Sequence, residues 1–543
     1  MHSMCPADVS HTDGALTRHA PEVPVGGESL SAVEGCFAAW QPPVEWVLGG
    51  TSGADPTVVR LLAATNHAEA LAAWAAARVP AGERPGRQTI IDRLAADIAL
   101  LDEALGRQLD AILHHPRLQQ LEASWRSLLW LVDRADEAAG GGTDERARVQ
   151  VRFLSASKRD LARDRAGALE FDRSALWRKI YEDEFGTPGG TPYGLLIADY
   201  PFGRHPEDLD LLTGLGEIAA ASFAPLVAAP RPDLLGIDSF HDLEEVPAID
   251  VLHAGTDYTK WRSLRDREES RFLGLALPRV LARLPYDGWI GEPDGRAAEE
   301  RSWARRGFRY RERVDGRDGG KRLWTSAAWA FAGVVIAEFG RSGWFADIRG
   351  GSRGQAGGGL VEGLPVETFG PSEPVAYRRG PTETTVTETA ERRLAAAGFL
   401  PLVATGADGR AVFHSNQSLH LARRYDRAEA TANARVSAML QYMLCVSRFA
   451  HYLKVLGRDK VGSVASADDL EHLLNEWIHD YVTPDDRASA ETRASLPLRA
   501  AQVEVRDEPG TAGGYRVVMH LQPHFQLDEL ATSVRLTTSI RKK

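Results

Sequence analysis

The sequence predicts a mixed α/β fold: a parallel or mixed sheet flanked by helices, followed by a separate β-rich C-terminal domain. Three observations predict it. Residues 192–229 read as a strand, an amphipathic helix and a second strand in succession, a unit that demands a parallel or mixed sheet. Residues 87–135 carry apolar side chains at helical spacing on both sides of a break. Beyond residue 500 the pattern changes to period two with β-branched residues, which is strand patterning.

The chain has 543 residues, enough for two to four domains at roughly 100–200 residues each. Hydrophobic residues make up 43% and charged residues 26%, the balance of a core-forming globular protein. The formal net charge of −11 argues against nucleic acid or an anionic membrane as main partner, and permits docking on a basic protein surface. Cys5, Cys36 and Cys445 are too scattered for a disulfide framework or a zinc site. Cys445, within MLQYMLCVSRF, is expected as a small buried apolar residue. The N-terminus lacks a basic and then apolar leader, and no apolar run reaches the ~18–20 residues that span a bilayer. A soluble, cytoplasmic chain is the expectation.

Residues 1–86 form a variable N-terminal region punctuated by proline and glycine. Within it, 28–40 places Leu30, Val33, Phe37 and Trp40 at steps of three and four, which makes one apolar stripe. That stripe suits a helix packed on the body or docked to a partner. Residues 87–135 read as a helical hairpin. Ile91, Leu94, Ile98, Leu101, Leu105 and Ile112 line its first helix, and Leu118, Leu121, Trp125, Leu128 and Val132 its second. His114, His115 and Pro116 break it, because proline removes a donor and clashes with the preceding turn.

A first large domain is expected over 136–370. Its strand at 193–200 is continuously apolar, as for a strand covered on both faces. Pro206, Glu207 and Asp208 open the following helix, with the acids near its positive end, and 224–229 supplies the second strand. Residues 288–322 read as a polar surface excursion and 323–349 as packed helix. The glycine-rich turn at 350–359 lacks the Gly-Lys-Ser/Thr ending of a phosphate loop.

A linker is expected at 371–390 and a C-terminal domain over 391–543. That domain should hold a long helix at 434–456 and an acidic helix at 468–481. In the latter Leu470, Leu473, Leu474, Trp477 and Ile478 face inward, and Asp468, Asp469, Glu471, Glu476 and Asp480 lie on or near the other side. Strands follow at 502–506, 515–521 and 532–540, the first two joined by a hairpin loop at 508–514.

No catalytic motif with specific spacing occurs. Asp199 follows a buried strand, where α/β enzymes place active-site carboxylates. His472 and His479 have no third ligand. The cluster Arg265, Asp266, Arg267, Glu268, Glu269 and Arg271 reads as a structural ion network. No cofactor or metal is expected.

Several long blocks resemble one family in order: LEASWRSLLWLV at 121–132, YGLLIADYPFGRHPEDLDLLTGLG from Tyr193, KWRSLRDREESRFLGLALPRVLARLPY from Lys260, GGGLVEGLPVETF at 357–369, ATANARVSAMLQYM at 430–443 and PLRAAQVEV at 497–505. The family is the large subunit of the type VI secretion contractile sheath (TssC, or VipB). The resemblance implies a contractile-tail-sheath fold and a structural role without enzymatic activity. It also implies an obligate heterodimer with the small sheath subunit (TssB, or VipA), which polymerises as six-fold rings around a tube of Hcp on a baseplate. The AAA+ ATPase ClpV would recycle the contracted sheath.

Within that frame the terminal strand, with Val534, Leu536, Thr538 and Ile540, suits donation to a neighbour's sheet. Val503, Val505, Val517 and Met519 mark the receiving hairpin. Asp468, Asp469, Glu471 and Glu476 are the residues expected at the inner tube, and Leu30, Val33, Phe37 and Trp40 at the ATPase. Residues 1–86 depart from the family pattern. The competing readings are an α/β hydrolase-like enzyme using Asp199 with a second carboxylate, and a regulatory paralogue of the sheath subunit.

Overall fold

The computed structural model describes residues 60–543 except 62, 81, 141–148, 187–189, 247–248, 291–307, 315–319, 351–356, 370–376, 407–408, 461–465, 486, 508–514, 525–533 and 541–543. The chain divides into two units, Met1–Gln108 and Leu109–Lys543. The stretch 28–40, with Leu30, Val33, Phe37 and Trp40, lies outside the described residues.

In the first unit, helix α1 (His67–Arg78) starts at Asn66, whose side chain accepts the Glu69 N–H and so satisfies one of the free donors of a helix start. Helix α2 runs Arg87–Leu113. Its Asp97 accepts from Trp74 Nε1 at 2.8 Å and Arg78 Nε at 2.7 Å. The apolar stripe expected inside a hairpin is exposed on α2, with Ile98 55% accessible. The chain breaks at His114–His115, and Pro116 opens helix α3 (Pro116–Gly140).

The second unit is built on a sheet. Strand β1 (Leu196–Phe202), helix α4 (Pro206–Ser222) and strand β2 (Leu226–Pro230) form the expected β-α-β unit, with β1 and β2 parallel. Pro206 sits in the first turn, and Glu207 and Asp208 stand at the positive end of α4. Strand β3 (Leu273–Leu277) runs parallel to β2, and every residue of both is buried, as a strand covered by helices on both faces requires. Helix α5 (Ala327–Ser342) covers one face. It is buried nearly all round because it lies between the sheet and α3. Glycine permits the closest approach: a Cβ on Gly333 would stand 2.4 Å from the Trp130 ring of α3.

The sheet is completed by β4 (Leu360–Val361), β5 (Leu400–Ala404) and β6 (Ala411–Phe413), in the order β1-β2-β3-β5-β6-β4. β5 pairs with β3 through Leu400↔Ala276. The sheet therefore runs across the segment 371–390 expected as a linker, and residues 400–413 share one sheet with 196–230.

The polar excursion at 288–322 is anchored at its base. Asp287–Ile290 pairs with Phe308–Arg311, and buried Tyr310 donates to Asp110 at 2.7 Å. Beside it Arg283 joins Glu312 and Glu122, each at 2.6 Å. Burial opposes the Arg283 charge, but the two carboxylates outweigh it and hold its pKa above the usual value.

The long helix expected over 434–456 is two helices, α6 (Ala428–Ser437) and α7 (Leu440–Lys460). The buried polar segment 416–420 causes the break. The Ser418 N–H takes the Ala438 carbonyl at 3.0 Å, and Asn416 O receives the Leu440 N–H at 2.9 Å. Helix α8 (Ala467–His479) and strands β7 (Leu498–Asp507), β8 (Tyr515–Pro523) and β9 (Val534–Ile540) complete the chain.

Candidate assembly surface

The three tail strands form one antiparallel sheet in the order β7-β8-β9. Period two decides its faces. Val503, Val517, Met519 and Leu521 are fully enclosed and Val505 nearly so. They pack on Phe449 and Leu453 of α7 and on Leu470, Leu474 and Ile478 of α8, with Trp344 stacked on Phe449 at 4.4 Å. Enclosing each such side chain stabilises by about 1.5–3 kcal/mol. The expected receiving residues Val503, Val505, Val517 and Met519 are thus brought together, as the inner face of the sheet in their own chain. Their register is Val503↔Met519 and Val505↔Val517.

The two edges of this sheet differ. The outer edge of β7 is closed by side chains of α8 that imitate a neighbouring strand. Asn475 Oδ1 accepts the Val503 N–H at 2.9 Å and Asn475 Nδ2 donates to the Val503 carbonyl at 2.8 Å. One turn earlier, Glu471 Oε2 accepts the Val505 N–H at 2.8 Å. These are the groups an exposed edge would offer to another chain. On the other side β9 pairs with β8 from Leu521↔Val534 to Tyr515↔Ile540, and no further strand of the described residues lies beyond it. Val534, Leu536, Thr538 and Ile540 therefore occupy, in their own chain, the position beside β8.

The acidic helix divides its charges among different tasks. Asp468, Asp469 and Glu476 are exposed. Asp469 also serves the helix start: its N–H donates to Ser466 Oγ at 3.2 Å, and that hydroxyl donates to its carboxylate at 2.8 Å. Glu471 turns to the sheet edge instead of outward. Sequence reading missed the edge-closing role of Asn475. The signal was present, because Glu471 and Asn475 stand four apart beside the inward stripe of Leu470, Leu474 and Ile478, where neighbouring helix positions share a face.

Asp199 is held as a structural anchor. Trp329 Nε1 donates to one of its oxygens at 3.0 Å, and the Ser124 hydroxyl donates to the other, which ties α3 and α5 to the sheet. No cluster of three or more metal-ligating side chains occurs among the described residues. In the Arg265–Arg271 cluster, Arg267 pairs with Glu217 at 3.2 Å and Arg271 with Glu268 at 2.6 Å. Arg265 is buried and donates to the Leu419 carbonyl at 2.9 Å.

The strongly shifted groups are interior ones. Burial pushes the Cys445 thiol up to about 12, and the His253 and His451 rings down to about 4. Lys454 sits over the rings of Tyr181, Phe185 and Phe223, and burial lowers it to about 8. Burial raises Glu338 to about 7 despite its ion pair with Arg341. His451 and Lys454 share the Phe185 ring, and the other groups lie in separate packing contacts. No helix among the described residues is long and apolar enough to cross a membrane.

Two family models match in series. The EvpB/VC_A0108 tail sheath N-terminal domain (VipB) covers residues 95–420, and the EvpB/VC_A0108 tail sheath gpW/gp25-like domain covers 429–540. The chain is 37% identical over 451 residues to the type VI secretion system sheath protein TssC1 of Pseudomonas aeruginosa, which spans 83% of this chain and 86% of that protein. A mixed central sheet, a terminal three-stranded sheet and these matches in order place the chain in the type VI secretion tail-sheath family, as a large sheath subunit of the VipB (TssC) type.

Proposed function

We propose that the chain is the large structural subunit of a contractile sheath. It pairs with the small sheath subunit, polymerises in the cytoplasm around an Hcp tube on a baseplate, and contracts to drive that tube outward. Recycling by a ClpV-type ATPase belongs to the same reading. The observation that carries it is the terminal sheet. One edge is sealed by Asn475 and Glu471, and the other ends on β9, beyond which no strand of the described residues lies. A strand of the same register from a neighbouring copy fits the place of β9 on β8. Main-chain pairing then links subunits while their bodies shift as rigid units. The exposed acids Asp468, Asp469 and Glu476 are the tube-facing residues in this reading.

Co-expression with the small subunit followed by negative-stain microscopy tests it. Hollow cogwheel tubes are expected. A soluble monomer that ignores the small subunit overturns the reading. Deleting Ser533–Lys543 is expected to leave the heterodimer intact on size-exclusion chromatography and to abolish long polymers. Full-length tubes from the truncated chain would sink the strand-exchange assignment.

A further inference from the structure

The central sheet has an open edge. β1 pairs with β2 on one side, and among the described residues no strand lies on the other. The Leu196 N–H donates to the Pro225 carbonyl at 2.8 Å, and strand alternation turns the Ile197 N–H and C=O away from β2. Beside this free edge lies a cavity of about 930 Å³. Both faces of the sheet extend over it. Trp329 and Ile336 of α5 wall one side, and Leu215 and Ile218 of α4 the other. The outer lip is the non-helical stretch 149–156, where Phe153 is 57% exposed and lies 5.7 Å from the equally exposed ring of Trp125.

The lip does not itself complete the sheet. Among the described residues no backbone hydrogen bond joins 149–156 to β1. Side chains bridge the gap instead: Arg152 reaches Thr191 Oγ1 at 3.1 Å and Tyr193 Oη at 3.3 Å, and Tyr200 donates to the Ala156 carbonyl. The space has the dimensions of a strand. A rise of ~3.3 Å, a strand spacing of ~4.8 Å and a sheet separation of ~10 Å give about 160 Å³ per residue, so the cavity holds about six residues. Pro201 limits the ladder at one end, since it has no N–H and its carbonyl already accepts Lys158 Nζ at 2.8 Å.

Charge identifies the occupant. Arg448 lines the cavity with Phe339 and Phe345. Its guanidinium stacks 4.5 Å from the Phe339 centroid and donates to Tyr452 Oη at 2.6 Å. Its Nε is enclosed without a hydrogen-bond partner, and no carboxylate forms an ion pair with it among the described residues. An enclosed cation without a counter-ion is costly, and a carboxylate brought by the occupant relieves that cost.

We infer that this slot receives an extended segment of about six residues from the heterodimer partner, aliphatic on both faces and carrying an Asp or Glu at the Arg448 end, which adds a strand to β1. This rests on the reading that the chain is half of a heterodimer. To test it, p-benzoylphenylalanine is placed at Phe153 and the chain is co-expressed with the small sheath subunit. The complex is then isolated by size exclusion, irradiated and mapped by mass spectrometry. The expected result is a crosslink to one contiguous partner peptide containing an acidic residue, with the Ile197 amide protected from hydrogen exchange only in the complex. Arg448→Met is expected to weaken the heterodimer tenfold or more. If a heterodimer forms but the crosslinks fall within this chain, in 1–59 or 149–156, or nowhere, the slot assignment alone is overturned. If no heterodimer forms, both readings fall.

Discussion

Replacing Asn475 by alanine should open the β7 edge, and the cost follows from the contacts. Asn475 makes two hydrogen bonds to one residue, accepting the Val503 N–H at 2.9 Å and donating to its carbonyl at 2.8 Å. Val503 is 0% exposed, so water does not readily replace the amide. An enclosed backbone group left without a partner costs about 1–3 kcal/mol. Two such groups at the lower half of that range give about 2–4 kcal/mol, and alanine's better helix propensity returns roughly 0.5 kcal/mol. A net loss of about 1.5–3.5 kcal/mol corresponds to roughly 10–400-fold in the local opening equilibrium.

Native-state hydrogen exchange at the Val503 amide reads that equilibrium directly. In Asn475→Ala the Val503 amide should exchange roughly 10–400 times faster, with Val505, held by Glu471, accelerated less. Asn475→Asp keeps the acceptor and loses the donor, so it should fall between. Unchanged exchange in Asn475→Ala, with a stability loss below about 0.5 kcal/mol, would show that the edge needs no side-chain closure and would refute the argument.

Three further outcomes are expected. Gly333→Ala places a Cβ 2.4 Å from Trp130, so thermal unfolding should report a loss of about 1–3 kcal/mol from overpacking, while alanine at the surface position Gly106, which meets nothing within 4 Å, should not destabilise. Arg283→Met leaves the carboxylate of Glu312, 1% exposed, without its main cation, and denaturant titration should show a loss of about 3–5 kcal/mol. Glu338 has a folded pKa of about 7 against an ordinary 4.5. The folded state therefore holds the extra proton, and the contribution is complete below pH 4.5 and lost as pH rises through 7. Urea midpoints should fall between pH 5 and 8 by an amount worth up to about 3 kcal/mol, and Glu338→Gln should flatten that slope, since Arg341 keeps Asp347 at 2.7 Å.

Much of the fold was legible because local patterns were strong. The β-α-β unit announced itself by a first apolar run, a proline with two acids at a helix start, and a second apolar run; the structure places all three within a few residues of expectation, although β1 is mostly half-buried rather than covered on both faces. The tail strands were legible for the same reason, since a period of two admits one buried face. What failed depended on tertiary partners. The linker at 371–390 looked like a boundary because it is polar, yet β5 beyond it pairs with β3, and strand neighbours distant in sequence leave no local mark. The long helix was read through residues 438–439 because its apolar spacing continues there. Only the insertion of Asn416 and Ser418 breaks it. Asn475 and Arg448 were passed over because a polar residue in a helix has no visible assignment until the atom it faces is known.

The two sheets present their free edges differently, and the difference fits two kinds of association. The terminal sheet has its core completed by α7 and α8 and one edge sealed by Asn475 and Glu471, so addition can proceed only on the β9 side. An interface of that kind can repeat from copy to copy, because donor and acceptor are parts of the same chain. The edge of β1 lies between helices on both faces, beside an apolar space and a guanidinium whose Nε has no hydrogen-bond partner. Such an edge is poorly hydrated when empty and is not accessible to a second folded sheet. A single extended segment can enter it, and its removal would expose apolar walls and strand Arg448 again. On the proposed reading, the tail edge suits a repeated contact between copies that move, and the central-sheet edge a lasting contact within the heterodimer.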